Sequence, residues 1–268
     1  MALLEREPRP VPTPPAEAGP LLECRGVHKR FGAVEALIDV DFEVYPGEVV
    51  ALVGDNGAGK STLIKAISGT QPADRGSFRF DGRDVTIRNP TDANKLGIET
   101  VYQDLALCDN LDTVANLFLG RELGAPAHAP GAVKVLAESD MEQLAGRRLD
   151  DLGVTTIESL RGRVGTLSGG QRQAVAVAKA TMWDAKLVIL DEPTAALGVA
   201  QTAQVLDLIR RLRDRGLGVV VITHNIDVVF EVADRIVVLR VGRRVATFDQ
   251  RQTTPQQVVS AIVGLDEA

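Results

Sequence analysis

The chain has 268 residues, 45% of them hydrophobic, and a formal net charge of −6. That is enough for one large domain with an ample core, and the acidic balance argues against a nucleic-acid-binding surface. No apolar run approaches the roughly 18 residues a membrane span needs, so work at a membrane would require another chain to supply the span. Cys24 and Cys108 are too few for a disulfide framework and read as reduced, structural residues.

Residues 1–20 contain Pro8, Pro10, Pro12, Pro14, Pro15 and Pro20, which break any helix, and lack the apolar centre of a signal peptide. A disordered arm is expected there, with a polyproline ligand for a partner as the alternative. The remainder, 21–268, reads as a single domain. Ile38 to Val44 alternates strictly, as a half-exposed strand of an antiparallel sheet should. Val49–Val53, Leu187–Leu190, Gly218–Thr223 and Ile236–Leu239 are instead continuous apolar runs separated by helical stretches. Such runs mark parallel strands buried on both faces. The expected fold is α/β, a parallel core with an N-terminal antiparallel layer.

Directly after the first of these runs comes Gly54-Asp55-Asn56-Gly57-Ala58-Gly59-Lys60-Ser61, followed by Thr62 to Ile67 as the opening of a helix. The pattern G-x-x-x-x-G-K-[ST] between strand and helix predicts a phosphate-binding loop. Its glycines let the backbone wrap the anion, and the new helix end aims free N–H groups at it. Lys60 brings a charge to the β- and γ-phosphates and Ser61 offers a hydroxyl to Mg²⁺. A glycine-rich surface turn is the bland alternative, and the strand and helix on either side argue against it.

Further along, Gln103 stands in Val101-Tyr102-Gln103. Asp112–Leu119 and Val135–Leu152 then have helical spacing around a Gly/Pro/Ala loop from Gly120 to Gly131. Leu167-Ser168-Gly169-Gly170-Gln171 precedes a helical run from Arg172 to Trp183. Ser168, Gly169 and Gly170 begin that helix with a hydroxyl and bare backbone donors, which suits a second anion. Asp191 and Glu192 end the strand Leu187–Leu190, and being adjacent they leave it on opposite faces. Arg210, Arg211, Arg213 and Arg215 read as a solvated helix face. His224 follows the strand Val219–Thr223, and Thr254-Pro255 opens a last short helix. His28 and His128 have no such context and read as surface residues.

A phosphate loop, LSGGQ and an apolar strand ending in Asp-Glu, in that order, resemble the ATP-binding cassette (ABC) family of ATPases, over about Leu22 to Leu265. The resemblance implies a P-loop NTPase core with an inserted α-helical subdomain at about 104–167. It also implies ATP with Mg²⁺ as ligands. Phe31 would stack on adenine, and Gly54, Asn56, Gly57, Ala58, Gly59, Lys60, Ser61 and Thr62 would hold the phosphates. Ser61, Gln103 and Asp191 would hold the metal, Glu192 would activate water, and Gln103 and His224 would contact the γ-phosphate. Ser168, Gly169, Gly170 and Gln171 would close on the ATP of a second copy in a head-to-tail dimer.

One departure is visible. The loop after Pro193-Thr194 usually ends in Leu-Asp in this family, whereas here it reads Ala195-Ala196-Leu197-Gly198. With Val199 to Thr202, Asp104 to Leu111 and Asn116 to Glu122, this variant is similar to ATPases of bacterial ribose, xylose and fructose importers. Many of those fuse two cassettes; one cassette here implies a homodimer, and with the sequence ending soon after the helix at Thr254-Pro255 no extra C-terminal regulatory domain is expected. The implied partners are transmembrane permease subunits and, indirectly, an extracytoplasmic sugar-binding protein, with no nucleic acid. The implied location is the cytoplasmic face of the bacterial membrane. Leu105, Leu107, Leu111, Val114, Leu117 and Phe118 are more apolar residues than a short surface segment needs, so some are expected to line a groove for a permease helix. An ATPase for another cargo, an exporter, or a soluble cassette acting on ribosomes or DNA are the alternatives. A tandem cassette, a basic surface or a long coiled-coil insertion would mark the last of these, and none is present.

Overall fold

A computed structural model describes residues 19–124 and 136–265; most of the proline-rich arm, His128 and Val135 lie outside the described residues. The apolar runs of the sequence and its alternating runs form two different sheets. The first is antiparallel, ordered β2-β1-β4-β5 from β1 (Leu22–Phe31), β2 (Val34–Val44), β4 (Arg75–Phe80) and β5 (Arg83–Val85). The second has β3 (Val49–Val53), β6 (Ile98–Val101), β7 (Leu187–Asp191), β8 (Gly218–Ile222), β9 (Arg235–Arg240) and β10 (Arg243–Asp249), ordered β10-β9-β3-β8-β7-β6. All neighbours in it are parallel except the edge pair β9–β10.

Both faces of the parallel sheet are buried, as continuous apolar strands require. On β7 and β8, Val188, Leu190, Val219 and Val221 face a core shared with α5 (Gly169–Thr181) and α6 (Val199–Asp214). The alternate residues Leu187, Ile189, Val220 and Ile222 face a second core shared with α1 (Lys60–Ile67) and the antiparallel sheet. A third, smaller core joins β3 and β9 to α7 (Ile226–Val232) and α8 (Pro255–Val263). Each fully buried Val, Leu or Ile contributes about 1.5–3 kcal/mol. At the foot of β3, buried Glu48 takes Nε and Nη2 of Arg235 at 2.7 and 3.0 Å, so a charge pair anchors the strand that leads into the phosphate loop.

The alternation of β2 holds only in part. Val40, Phe42 and Val44 are buried, but Leu37 points inward where the pattern predicts Ile38. Between Val27↔Val40 and Lys29↔Leu37 the strand spends an extra residue, and Asp39 there has φ 55. This β-bulge reverses the facing of everything before it.

Helix α2 (Pro90–Leu96) leads into β6, and the helical block is α3 (Thr113–Phe118) and α4 (Glu138–Asp151), packed on α5 through Leu117, Phe118, Met141, Ala145 and Leu149. Asp112 caps α3 by accepting from Ala115 N–H at 2.7 Å, and Thr254 with Pro255 opens α8 through a capping box. Trp183 packs edge-on against Phe118, 5.8 Å between centroids. Of the arginines near the end of α6, Arg211 and Arg215 are exposed as a solvated face requires, while Arg210 and Arg213 are half-buried. Arg210 pairs with Glu231 at 2.8 Å and Arg213 with Asp234 at 3.5 Å, because acids of α7 and the following turn come up against them.

Candidate active site

Four parallel strands end together. Leu52 pairs with Ile222, Ile222 with Asp191, and Leu190 with Val101. The segments leaving β3, β6, β7 and β8 therefore rise from one carboxyl edge, where α/β sheets hold their ligands. They carry the phosphate loop, Gln103, Asp191-Glu192 and His224.

The loop needs its glycines for two reasons. Gly54 (φ 147) and Gly59 (φ 105) have conformations that L side chains avoid, and a Cβ at Gly54 would run into the Leu239 carbonyl. At Gly59 it would come within 2.7 Å of the Ala36 carbonyl oxygen. Gly59 precedes α1 without a capping side chain, which leaves the first N–H groups of the helix for an anion. Lys60 Nζ folds back to donate to the carbonyls of Gly54 (2.8 Å) and Asp55 (3.0 Å), holding its charge over the loop. Ser61 is exposed and Thr62 half-buried one step further along the helix.

Asp191 ends β7, and Glu192 turns sharply with φ 48, a conformation that costs a non-glycine residue on the order of 1–3 kcal/mol. The Glu192 N–H donates to the Ile222 carbonyl at 2.8 Å and holds the turn. Its carboxylate accepts from Nδ1–H of His224 at 2.8 Å; the Glu192 side chain is 18% exposed and the imidazole 79%. Burial pushes the Asp191 carboxyl above the usual range, Glu192 adds to that, and Lys60 and Lys65 oppose it. Burial lowers the Lys60 ammonium, against Glu192, Asp55 and Asp191. Lys60, Asp191, Glu192 and His224 thus form one electrostatic unit.

Mg²⁺ fits this donor set. Among the described residues no cluster of three or more His, Cys, Asp or Glu could hold a metal by itself. A desolvated carboxylate beside a second one, with a serine hydroxyl on the facing helix, matches an ion that takes one or two carboxylates and completes its shell with phosphates and water.

Phe31 is 44% exposed at the end of β1, with Lys29 Nζ 5.6 Å from its ring centre. The turn after it leads into β2, whose Ala36 carbonyl lies against the phosphate loop at Gly59. Ser168 caps α5 in a capping box: it accepts from Gln171 N–H at 3.3 Å while Gln171 Oε1 accepts from Ser168 N–H at 2.8 Å. Gln171 Nε2 donates to the Thr156 carbonyl at 2.6 Å, so this side chain already serves the local fold. A Cβ at Gly169 would lie 2.8 Å from Leu197, which packs the motif on the segment after Glu192. Gly198 caps α6 with no side chain, and Gln201 Oε1 reaches back to its N–H at 3.2 Å.

Sequence reasoning missed the hairpin between β9 and β10. Gly242 N–H donates to the Ala58 carbonyl at 3.0 Å, and its own carbonyl accepts from Ile38 N–H at 2.8 Å, so it clamps the phosphate loop to β2. The contacts are all backbone, and only the Val241-Gly242 turn signal was there to be read. Beside Gln103 lies a groove of about 230 Å³, lined by Leu105, Leu117, Leu119, Trp183, Glu99 and Arg121 among others. Of the six apolar residues marked in this region, Val114 and Phe118 are fully internal, Leu105 and Leu117 line the groove, and Leu107 and Leu111 are half-buried.

A parallel sheet with a phosphate loop, an acidic pair and a histidine at one edge defines a P-loop nucleoside triphosphatase. The chain belongs to the ABC transporter family, whose profile matches residues 37–195. It is 48% identical to the fructose import ATP-binding protein FrcA of Rhizobium meliloti, over 92% of this chain and 95% of that one. It is also 48% identical to the xylose/arabinose import ATP-binding protein XylG of Sulfolobus acidocaldarius, over 90% and 93%. Among solved structures it resembles MJ1267, an ATP-binding cassette of an ABC transporter in its ADP conformation (TM-score 0.75, 26% identity, 91% and 95% covered). It also resembles the dimeric cassette MJ0796 bound to ADP and Pi (TM-score 0.68, 25%, 86% and 99%). The chain is an ABC ATPase that binds ATP.

Proposed function

We propose that this chain is the energy-coupling ATPase of a bacterial monosaccharide importer. The observation that carries the reading is its near-half identity, over almost the full length of both partners, to two ATP-binding proteins of sugar import. Fructose and xylose/arabinose proteins match equally well, so the cargo stays at the level of monosaccharide.

In the proposed mechanism Lys60 and the N–H groups at the start of α1 hold the β- and γ-phosphates. Glu192 takes a proton from the attacking water, and His224 keeps its carboxylate aimed. Ser61, Gln103 and Asp191 would hold Mg²⁺, which would supply positive charge against the phosphates. Ser168, Gly169 and Gly170 form a second anion site, and one phosphate loop already cradles the triphosphate. The two therefore complete each other between two copies, as the existence of a dimeric cassette relative supports. Closure of that homodimer on ATP and its opening after hydrolysis would drive permease subunits docked at the groove beside Gln103. The chain would sit on the cytoplasmic face through that partner; no helix among the described residues is long and apolar enough to cross a membrane.

Reconstitution into liposomes with the permease subunits that co-purify with the chain and a monosaccharide-binding protein tests the reading. ATP-dependent uptake of at least one labelled monosaccharide is expected, and its loss with Glu192→Gln. Hydrolysis with no uptake across a panel of hexoses and pentoses, or outward movement of the cargo, would overturn it.

A further inference from the structure

Three hydroxyls meet at the base of the loop that carries Gln103. Tyr102 Oη lies 3.0 Å from Ser68 Oγ and 3.0 Å from Thr70 Oγ1, which are themselves 3.1 Å apart. Ser68 is buried and is the C-cap residue of α1, the helix that begins at Lys60. The phenol is therefore fastened to the far end of the phosphate loop's own helix, while Gln103, its chain neighbour, is exposed.

The other end of the loop is fastened separately. Asn116 is fully buried on α3; it accepts from Cys108 N–H at 2.8 Å and donates to the carbonyls of Cys108 (3.0 Å), Leu111 (3.4 Å) and Asp112 (3.0 Å). Between the two anchors Leu105 and Ala106 are both left-handed, at φ 59 and 47, a conformation that side-chain-bearing residues hold only when their surroundings impose it. Lys179 of α5 donates to the Ala106 carbonyl at 3.3 Å. The strained segment thus has a rigid support at each end and a link to the helix that starts at Ser168.

We propose that Tyr102 is a positioning residue for Gln103: its hydroxyl, fixed by Ser68 and Thr70, pins the core end of the loop to α1. A displacement at Gln103 then turns the segment 104–107 instead of being absorbed by slack, and it reaches α5 through Ala106 and Lys179. The proposal rests on the reading of Gln103 as a contact of the γ-phosphate and metal. Without the pin, nucleotide binds as before, because Lys60 and the loop are untouched, but Gln103 is mispositioned for the chemical step.

Steady-state hydrolysis by the purified full-length chain separates the possibilities, using Tyr102→Phe, Ser68→Ala, Gln103→Ala and the Tyr102→Phe/Gln103→Ala double variant. Phenylalanine keeps the ring and leaves Ser68 and Thr70 able to bond each other, so melting should hardly change. For Tyr102→Phe and Ser68→Ala, kcat should fall on the order of tenfold, with KM for ATP within about a factor of two. The double variant should be no slower than Gln103→Ala, because both lesions act through one group. Parental kcat for Tyr102→Phe alongside a slow Gln103→Ala would overturn the pin while sparing the role of Gln103, as would fully additive losses in the double variant. Parental kcat for Gln103→Ala would overturn both.

Discussion

The imidazole of His224 bonds the carboxylate of Glu192 at 2.8 Å from the end of the neighbouring strand, the ring largely in solvent and the carboxylate largely out of it. An exposed imidazole thus holds a largely buried carboxylate, the proposed base, which stands on a backbone turn, φ 48, that β7 and β8 jointly enforce. Replacing Glu192 by Gln preserves size and a hydrogen bond but removes the base. Turnover should fall about 10²–10⁴-fold while ATP still binds, and the variant should accumulate as an ATP-bound dimer on size exclusion. Turnover within a factor of two of the parent would refute the assignment.

Burial of Asp191 costs the fold stability. Its folded-state carboxyl is raised by burial and by Glu192, so the unfolded chain ionises it more readily and the native state is penalised at neutral pH. That penalty is complete above the raised folded value and disappears as pH falls through it towards the unfolded value. Asp191→Asn should therefore melt higher than the parent without nucleotide at pH 7–8, with the gap closing under acid, while hydrolysis is lost. An equal or lower melting temperature at pH 7–8 would count against this account of the site.

Gly198 has an ordinary extended conformation (φ −73, ψ 166) and open space where a Cβ would go. Gly198→Asp should supply α6 with a side-chain cap and raise stability by a few tenths of a kcal/mol in urea unfolding. A loss of stability would mean that the glycine is required by the fold.

At the groove, Leu119 is 44% exposed and sits between Leu117 and Arg121. Leu119→Arg should leave hydrolysis by the isolated chain intact and abolish uptake in the reconstituted transporter. Uptake at the parental rate would place the permease contact elsewhere.

What could be read from sequence was what is local. The phosphate loop, LSGGQ and Asp191-Glu192 are short segments whose chemistry and neighbours are contiguous. The buried strands announced themselves because both faces are apolar. Strand β4 did not, since its six residues bury only Phe78 and Phe80, too few to show a period. The inward turn of Leu37 was hidden by a bulge whose cause lies in the register with β1. Gly242, Tyr102 and Asn116 act through backbone contacts or distant partners, and no spacing in the chain records those. Arg211 and Arg215 are exposed as the sequence suggested, but the half-burial of Arg210 and Arg213 was not legible, because Glu231 and Asp234, which pair with them, come from beyond the helix.

In the proposed homodimer each hydrolytic site is built from the Lys60 loop of one copy and the Ser168 motif of another. Lys60→Ala removes the charge facing the phosphates, and Ser168→Arg blocks the partner's site while sparing ATP binding to the monomer. Each variant alone should be inactive. Mixed, they form heterodimers in which one composite site carries both lesions and the other neither, and hydrolysis should return in part. Heterodimers proven by differential tags yet as inactive as either parent would contradict reciprocal sites.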